Sequence, residues 1–354
     1  MVETAIDLGF VEDCEPWLLT NKFFPSKVGG KPAWLDLKNI PKPKDLECPR
    51  CKEPMVFLCQ LYASSDKEHC FHRTVYVFIC RNGACYQPND ASTVRVFRNQ
   101  LPLKNDFYSE TPPDENEESE AVESPVKLCR ICGCSAFACC SKCKKEFYCN
   151  VSHQKADWKA RHRQECMEGK KVENFQNEIL FPEFELVIES EILEEKKKET
   201  PEEAEARRLA EYENLVKNGQ VQTMGDVPAA EMEKYVGETE EDKVFAAFRE
   251  RISQNKEQVV RYDRGGKPLW ITGDLQLAPE DVPKCENCNE TRDFEFQIMP
   301  QLLNNLKREE LDWGVIAVFT CSKDCDIGER YVKEFAYKQD IVKDDEGEKE
   351  NIDE

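Results

Sequence analysis

Short apolar runs along this chain alternate with long stretches that carry almost no apolar side chains. In the first third, Met55–Tyr62, Arg73–Cys80 and Thr93–Arg98 are dense in β-branched and aromatic residues and read as strands, with Asn99–Tyr108 as an ordered exit. In the last third, Phe294–Met299, Trp313–Cys321 and Glu334–Gln339 read the same way. Leu8–Glu12 opens the chain, and Phe181–Glu189 predicts one further short strand. Within Asp242–Tyr262, the residues Val244, Phe245, Phe248, Ile252 and Val259 fall mostly at helical spacing. A helix with one apolar face is therefore expected there, docked on the last group of strands.

The two strand groups share a plan. Gly29-Gly30-Lys31-Pro32-Ala33-Trp34 recurs as Gly265-Gly266-Lys267-Pro268-Leu269-Trp270, a glycine–proline turn leading into an aromatic anchor. A C-x2-C pair comes after each turn, Cys48/Cys51 and Cys285/Cys288. Each second strand then ends at a cysteine with another just beyond, Cys80/Cys85 and Cys321/Cys325. This is an internal repeat whose halves are expected to pack as one pseudo-symmetric domain, with two separate β domains as the alternative. Each half offers four cysteines to a zinc-ribbon-like site, and buried thiols without metal are the plainer alternative. His69, Cys70 and His72 are competing donors in the first half, read here as loop polarity.

Between the halves lies a different pattern. Cys129/Cys132 and Cys140/Cys143 are C-x2-C pairs, Cys149/His153 is C-x3-H, and His162/Cys166 is H-x3-C. Eight donors suit two tetrahedral zinc ions, and the x3 pairs place both donors on one helical face. Pairs one and three are assigned to one metal and pairs two and four to the other. A disulfide framework does not account for two histidines at ligand spacing. Cys134 and Cys139 have no place in the pattern, although Cys139 can replace Cys140; with Cys14, Cys59 and Cys70 they are assigned no chemistry.

These residues, together with Phe147-Tyr148, Gln154 and Trp158, resemble the MYND zinc finger. The resemblance implies a protein-binding module, often for proline-rich peptides, with Gln154 and Trp158 on the peptide side. For Trp158, packing against the metal sites is an equal alternative. The expected fold class is α+β, mainly β: a duplicated β domain with an inserted MYND finger. The expected divisions are a β half over 1–109, an acidic linker over 110–125 and the finger over 126–170. A short strand and acidic arm over 171–241, a second β half over 242–342 and an acidic tail over 343–354 complete them.

Charge narrows the function. With 49 basic and 70 acidic residues the net charge is −21, which disfavours a phosphate backbone and favours a basic protein partner. The finger is locally basic. Residues 110–123 hold seven acids and no base, and residues 190–241 are dominated by Glu and Lys, with Pro201–Lys217 partly helical. No apolar run approaches the roughly 18 residues of a membrane span, no signal peptide is recognised, and 19 cysteines suit a reducing compartment. No phosphate loop, metalloprotease motif or nucleophile signature appears. The four histidines are two proposed ligands and two beside Cys70, so catalysis is not expected.

The repeat, the inserted finger and segments such as 24–34, Phe97-Arg98-Asn99-Gln100-Leu101-Pro102 and Met299-Pro300-Gln301-Leu302-Leu303 resemble the programmed cell death protein 2 family over nearly the whole chain. The resemblance implies a chaperone for a basic small-subunit ribosomal protein of the universal S-five class, delivered to the forming 40S particle in cytoplasm and nucleus. It also implies links to proliferation, stem-cell maintenance and apoptosis. The alternative is a nuclear scaffold whose finger recruits corepressors through proline-rich peptides. Met299–Leu303 is a candidate client contact, with core packing the preferred reading.

Overall fold

The structure is a computed structural model that describes residues 6–172, 177–192 and 240–341. The first half supplies β1 (Asp7–Glu12), β2 (Lys27–Val28), β3 (Val56–Tyr62), β4 (His72–Ile79) and β5 (Val94–Leu101). The finger contains β6 (Ala138–Cys139), β7 (Phe147–Tyr148), α1 (Val151–Asp157) and α2 (Arg163–Glu168), with a π turn at Trp158–His162 between the helices. Then come β8 (Phe184–Ser190), α3 (Glu240–Ser253), β9 (Val260–Tyr262), β10 (Arg292–Ile298), α4 (Leu302–Leu306), β11 (Val315–Cys321) and β12 (Val332–Gln339).

Ten of these strands close into a single antiparallel barrel in the order β1-β8-β2-β3-β4-β5-β12-β11-β10-β9. Closure leaves no barrel edge unpaired, which removes the usual route to edge-to-edge aggregation. The two halves meet at β5 and β12, where Arg98 pairs with Val332 and Val96 with Glu334. They meet again where β9 pairs with β1, Asp7 opposite Tyr262. β8 sits between β1 and β2, with Asp7 opposite Ser190 and Lys27 opposite Glu185. The short strand expected over Phe181–Glu189 is thus a stave of the barrel, although its sequence leads straight into the acidic arm. Glu189 and Ser190 are exposed, while Leu186 points into the core.

The halves are alike in detail. β3 bulges between Phe57 and Cys59 where it pairs with β4, and β10 bulges between Phe294 and Phe296 where it pairs with β11. Gln60 accepts from the Ala33 amide at 2.9 Å and donates to the Ala33 carbonyl at 3.3 Å. Gln297 makes the same pair of bonds to Leu269, at 2.6 and 3.0 Å. One buried glutamine thus fixes each Gly-Gly-Lys-Pro turn. Gly29 has φ +66°, and a Cβ there would lie 1.8 Å from the Pro182 carbonyl oxygen, so only glycine fits where β8 enters.

The barrel interior is unequal along its axis. Val28, Leu58, Val77, Ile79, Val96, Phe296, Ile298 and Ile316 form an apolar core, joined by Leu302, Leu306 and Trp313. Toward the other end the fill is ionic. Arg73 makes a bidentate pair with Glu295, Nη1–Oε1 2.5 Å and Nη2–Oε2 2.7 Å, with both side chains fully buried. Arg73 Nε also meets Asp324 at 2.8 Å. Glu334 is shared by Arg98 and Arg292, each at 2.7 Å. The positions corresponding to Glu295 and Glu334 in the first half are Leu58 and Val94, so the repeat diverges here. Both acids come from the second half, while Arg73 and Arg98 come from the first, so these pairs specify how the halves are joined.

The helix expected over Asp242–Tyr262 ends at Ser253. The Asn255 amide bonds back to Ile252, and the chain turns before the β-branched pair Val259-Val260 enters the barrel. Phe248 is buried and Ile252 packs beside it against Ile271, Met299 and Val315, so α3 does dock on the second half. Residues 193–239, including Pro201–Lys217, and the tail from 342 lie outside the described residues. The linker over 110–125 is tied down at its end: Asn21 exchanges two 2.9 Å bonds with the Val122 backbone, and Ser124 Oγ donates to Leu37 O at 2.9 Å. Among the described residues no helix is long and apolar enough to cross a membrane.

Candidate metal centres

Four groups of donor atoms converge in the structure. They are Cys48, Cys51, Cys80 and Cys85; Cys129, Cys132, Cys149 and His153; Cys140, Cys143, His162 and Cys166; and Cys285, Cys288, Cys321 and Cys325, each with its donors within 4.8 Å of one another. The grouping in the finger is the alternating one, pairs one with three and two with four. Cys139 is exposed, and Cys140 takes the position in the cluster. His69 bonds the Asp324 carbonyl and His72 bonds Tyr62, so neither joins the first-half cluster.

The spacing of the donors distinguishes a metal from other chemistry. Four thiolates at about 2.3 Å from zinc stand about 3.8 Å apart at tetrahedral angles. Observed Sγ–Sγ separations are 3.6 Å for Cys51–Cys80, 3.6 Å for Cys132–Cys149, 3.6 Å for Cys288–Cys321 and 3.8 Å for Cys285–Cys325. Sulfur to imidazole nitrogen is 3.2 Å from Cys149 to His153 Nδ1 and 3.5 Å from Cys143 to His162 Nε2. A disulfide would need about 2.05 Å. The donor sets therefore fit a tetrahedral soft-ligand cation such as zinc, and each group can hold one.

One local structure builds all four. The amide four residues after the leading cysteine bonds that cysteine's carbonyl: Lys52 to Cys48 at 3.0 Å, Gly133 to Cys129 at 2.8 Å, Lys144 to Cys140 at 2.9 Å and Asn289 to Cys285 at 2.8 Å. The residue donating that bond is left-handed each time, with φ of +62°, +71°, +56° and +61° in that order. The turn also aims amides at sulfur. Burial raises the Cys48 thiol, but the amides of Cys51 and Arg50 outweigh it and hold its pKa below the ordinary thiol value. The same balance acts on Cys285 through the Cys288 and Asn287 amides, and on Cys143 through those of Lys145 and Glu146. Amide donors favour the thiolate, which is the metal-binding form.

The two barrel clusters occupy equivalent places. Each joins the loop before a strand, β3 or β10, to the end of the next, β4 or β11. Because β5 and β12 run antiparallel, the two clusters cap opposite ends of the barrel. At the ionic end Arg98 Nη2 lies 3.8 Å from Cys325 Sγ, a cation beside thiolates.

The finger is docked on the outside of the first half. Trp34 Nε1 donates to Gly133 O at 2.8 Å, and Asn177 Nδ2 to Ile131 O at 3.0 Å. Trp34, Phe57, Tyr76, Phe78 and Phe97 form one buried cluster with Ile131, Cys132, Cys134 and Tyr148. Cys134, without a role in the spacing pattern, is thus a packing residue, and its carbonyl accepts from the Cys129 amide at 2.6 Å. In the finger, Tyr148 donates to buried Asp157 at 2.7 Å, and Arg161 and Arg130 share that carboxylate. Gln154 and Trp158 are partly exposed on α1 and the π turn, with Trp158 packed against the shared cluster and His162. The apolar candidate segment is core, since Met299 and Leu302 are fully buried.

A closed, duplicated barrel with an inserted, cross-braced Cys/His finger defines a β protein built in two similar halves, with four Cys/His clusters that can each hold a metal ion. Residues 5–115 match the family described as Programmed cell death protein 2, N-terminal domain, residues 242–343 match its C-terminal putative domain, and residues 129–166 match the MYND finger. The chain is 42% identical to Programmed cell death protein 2 of Mus musculus, over 95% of this chain and 97% of the mouse protein, and 43% identical to that of Bos taurus, over 95% and 96%. It is 26% identical to the Probable 20S rRNA accumulation protein 4 of Schizosaccharomyces pombe, over 84% of this chain and 87% of that protein. The chain belongs to the programmed cell death protein 2 family. No solved structure matches it.

Proposed function

We propose that the chain is a non-catalytic, zinc-stabilised chaperone and adaptor. It captures a newly made basic small-subunit ribosomal protein of the universal S-five class and delivers it for 40S assembly, in cytoplasm and nucleus. The observation that carries this reading is the similarity to a Schizosaccharomyces pombe protein named for the accumulation of 20S rRNA, which points to ribosome assembly. A net charge of −21 supports it, because charge complementarity speeds capture of a basic client and shields it until release. In this reading all four clusters hold zinc, two in the finger and one in each barrel half. With four protein donors per ion there is no open position for water or substrate, and the metal serves the fold.

Client capture is then work of the barrel. Cys48→Ser or Cys285→Ser should abolish co-purification of the client from cells, and Trp158→Ala should leave it intact. The opposite pattern, with capture lost in Trp158→Ala or Gln154→Ala and kept in the barrel variants, moves the function to the finger and to proline-rich partners.

A further inference from the structure

The repeat places equivalent aromatic residues on the outer faces of the two halves. Trp34, Phe57, Phe78 and Phe97 in the first half correspond to Trp270, Phe294, Phe319 and Tyr337 in the second. The cross-strand register supports the match: Phe57 stands opposite Phe78, and Phe294 opposite Phe319. The first set is covered by the finger, and all four side chains are buried. Trp34 there gives its indole N–H to a backbone carbonyl of the finger. On the second half no finger is present among the described residues. Phe294 and Phe319 are covered there by Leu277 and Val282 of the same half, but Trp270 and Tyr337 are partly exposed, Leu275 at the margin is 59% exposed, and Trp270 Nε1 has no hydrogen-bond acceptor among the described residues. A groove of about 310 Å³ opens there, lined by Pro268, Trp270, Leu277, Pro279, Val282 and Phe294.

The margin of the groove is acidic. Asp274, Glu280, Asp281 and Asp293 are exposed and have no ion-pair partner among the described residues, against Lys267 and Lys284. The acidic margin repels residues 193–239 of this chain, which are themselves net acidic. We infer that this groove on the second half docks an extended, lysine- or arginine-bearing segment of the client, anchored by one large apolar side chain beside Trp270. A backbone carbonyl of the segment accepts from Trp270 Nε1, as the Gly133 carbonyl does from Trp34. The inference rests on the chaperone reading above and names its contact surface.

The test is fluorescence anisotropy of the full-length chain with labelled peptides tiling the basic small-subunit client. The tightest peptide should carry Lys or Arg flanking a large apolar residue. Trp270→Ala should weaken it tenfold or more, as loss of a central aromatic anchor does. Asp281→Lys should weaken it severalfold and make binding less sensitive to salt; as an exposed loop substitution it keeps the test valid if Trp270→Ala lowers stability. A peptide bound with unchanged affinity by both variants overturns the groove and leaves the chaperone reading standing. Failure of the wild-type chain to bind either peptides or the intact client overturns both. A photocrosslinker at Leu277 that captures residues 193–239, or a concentration-dependent dimer lost in Trp270→Ala, assigns the groove to this chain itself and sinks the proposal.

Discussion

At the scale of single residues, the metal turns show how chemistry outruns sequence pattern. The C-x2-C pairs are legible because two sulfurs at that spacing reach one cation. The left-handed residue after each pair is not, because three of the four turns use Lys52, Lys144 and Asn289 where glycine would announce the conformation. A non-glycine side chain in this region costs about 1–2 kcal/mol. Lys52→Gly and Lys144→Gly should each therefore stabilise the folded chain by about 0.5 kcal/mol, after the greater freedom of glycine in the unfolded chain is discounted. Thermal unfolding in excess zinc measures this, and a loss of stability would show that the lysines make contacts that outweigh the strain.

Glu295 is a second residue that no pattern reveals, since one acid in a strand reads as solvated. Burial pushes its carboxyl up, but the pair with Arg73 outweighs burial, aided by Arg264 and the Thr320 hydroxyl, and holds its pKa at about 2 against an ordinary 4.5. A depressed folded-state value means that the stabilisation is complete above about pH 4.5 and is lost as pH falls through 2. Glu295→Gln should cost about 3 kcal/mol at pH 7, in the range for breaking a buried pair, and flatten the acid limb of the stability profile. Urea midpoints measured from about pH 7 to about pH 3 give both quantities. An unchanged acid limb would remove Glu295 from that role.

At the scale of elements, the legible strands are β3, β4, β10 and β11, whose dense apolar and β-branched runs bury one face or both. The place of β8 is not legible. Its apolar residues announce a strand, but its neighbours β1 and β2 lie far from it in sequence, on the other side of the finger. β9 is hidden inside a helical pattern because Val259 falls on the period of α3, yet the β-branched pair Val259-Val260 enters the core. The two tryptophan turns are legible as a repeat, but their different fates are not, since only the finger distinguishes Trp34 from Trp270. Trp34→Ala should remove about 3–5 kcal/mol of packing from the shared cluster and detach the finger. Hydrogen exchange should then rise across 129–166 and stay slow in β10–β12. Protection retained in the finger would mean that its metal sites, and not Trp34, hold it in place.

At the scale of the whole molecule, one barrel is made from two halves that are separated in sequence by a finger and an acidic segment. Its interior ion pairs cross between the halves, and its clusters cap both ends. Its finger covers one outer face, while the equivalent face of the other half is covered in part by Leu277 and Val282 and keeps a groove beside Trp270. In the proposed reading, zinc in the barrel clusters and in the finger unites these features. Native mass spectrometry of the full-length chain, purified under reducing conditions and co-expressed with the basic client, tests it most directly. The expected spectrum shows four zinc ions per chain, one for each donor cluster, and a 1:1 complex with the client that dissociates at high salt. A chain with two zinc ions would confine metal to the finger and reduce the barrel cysteines to packing, and four zinc ions without a client would contradict the chaperone function while leaving the fold in place.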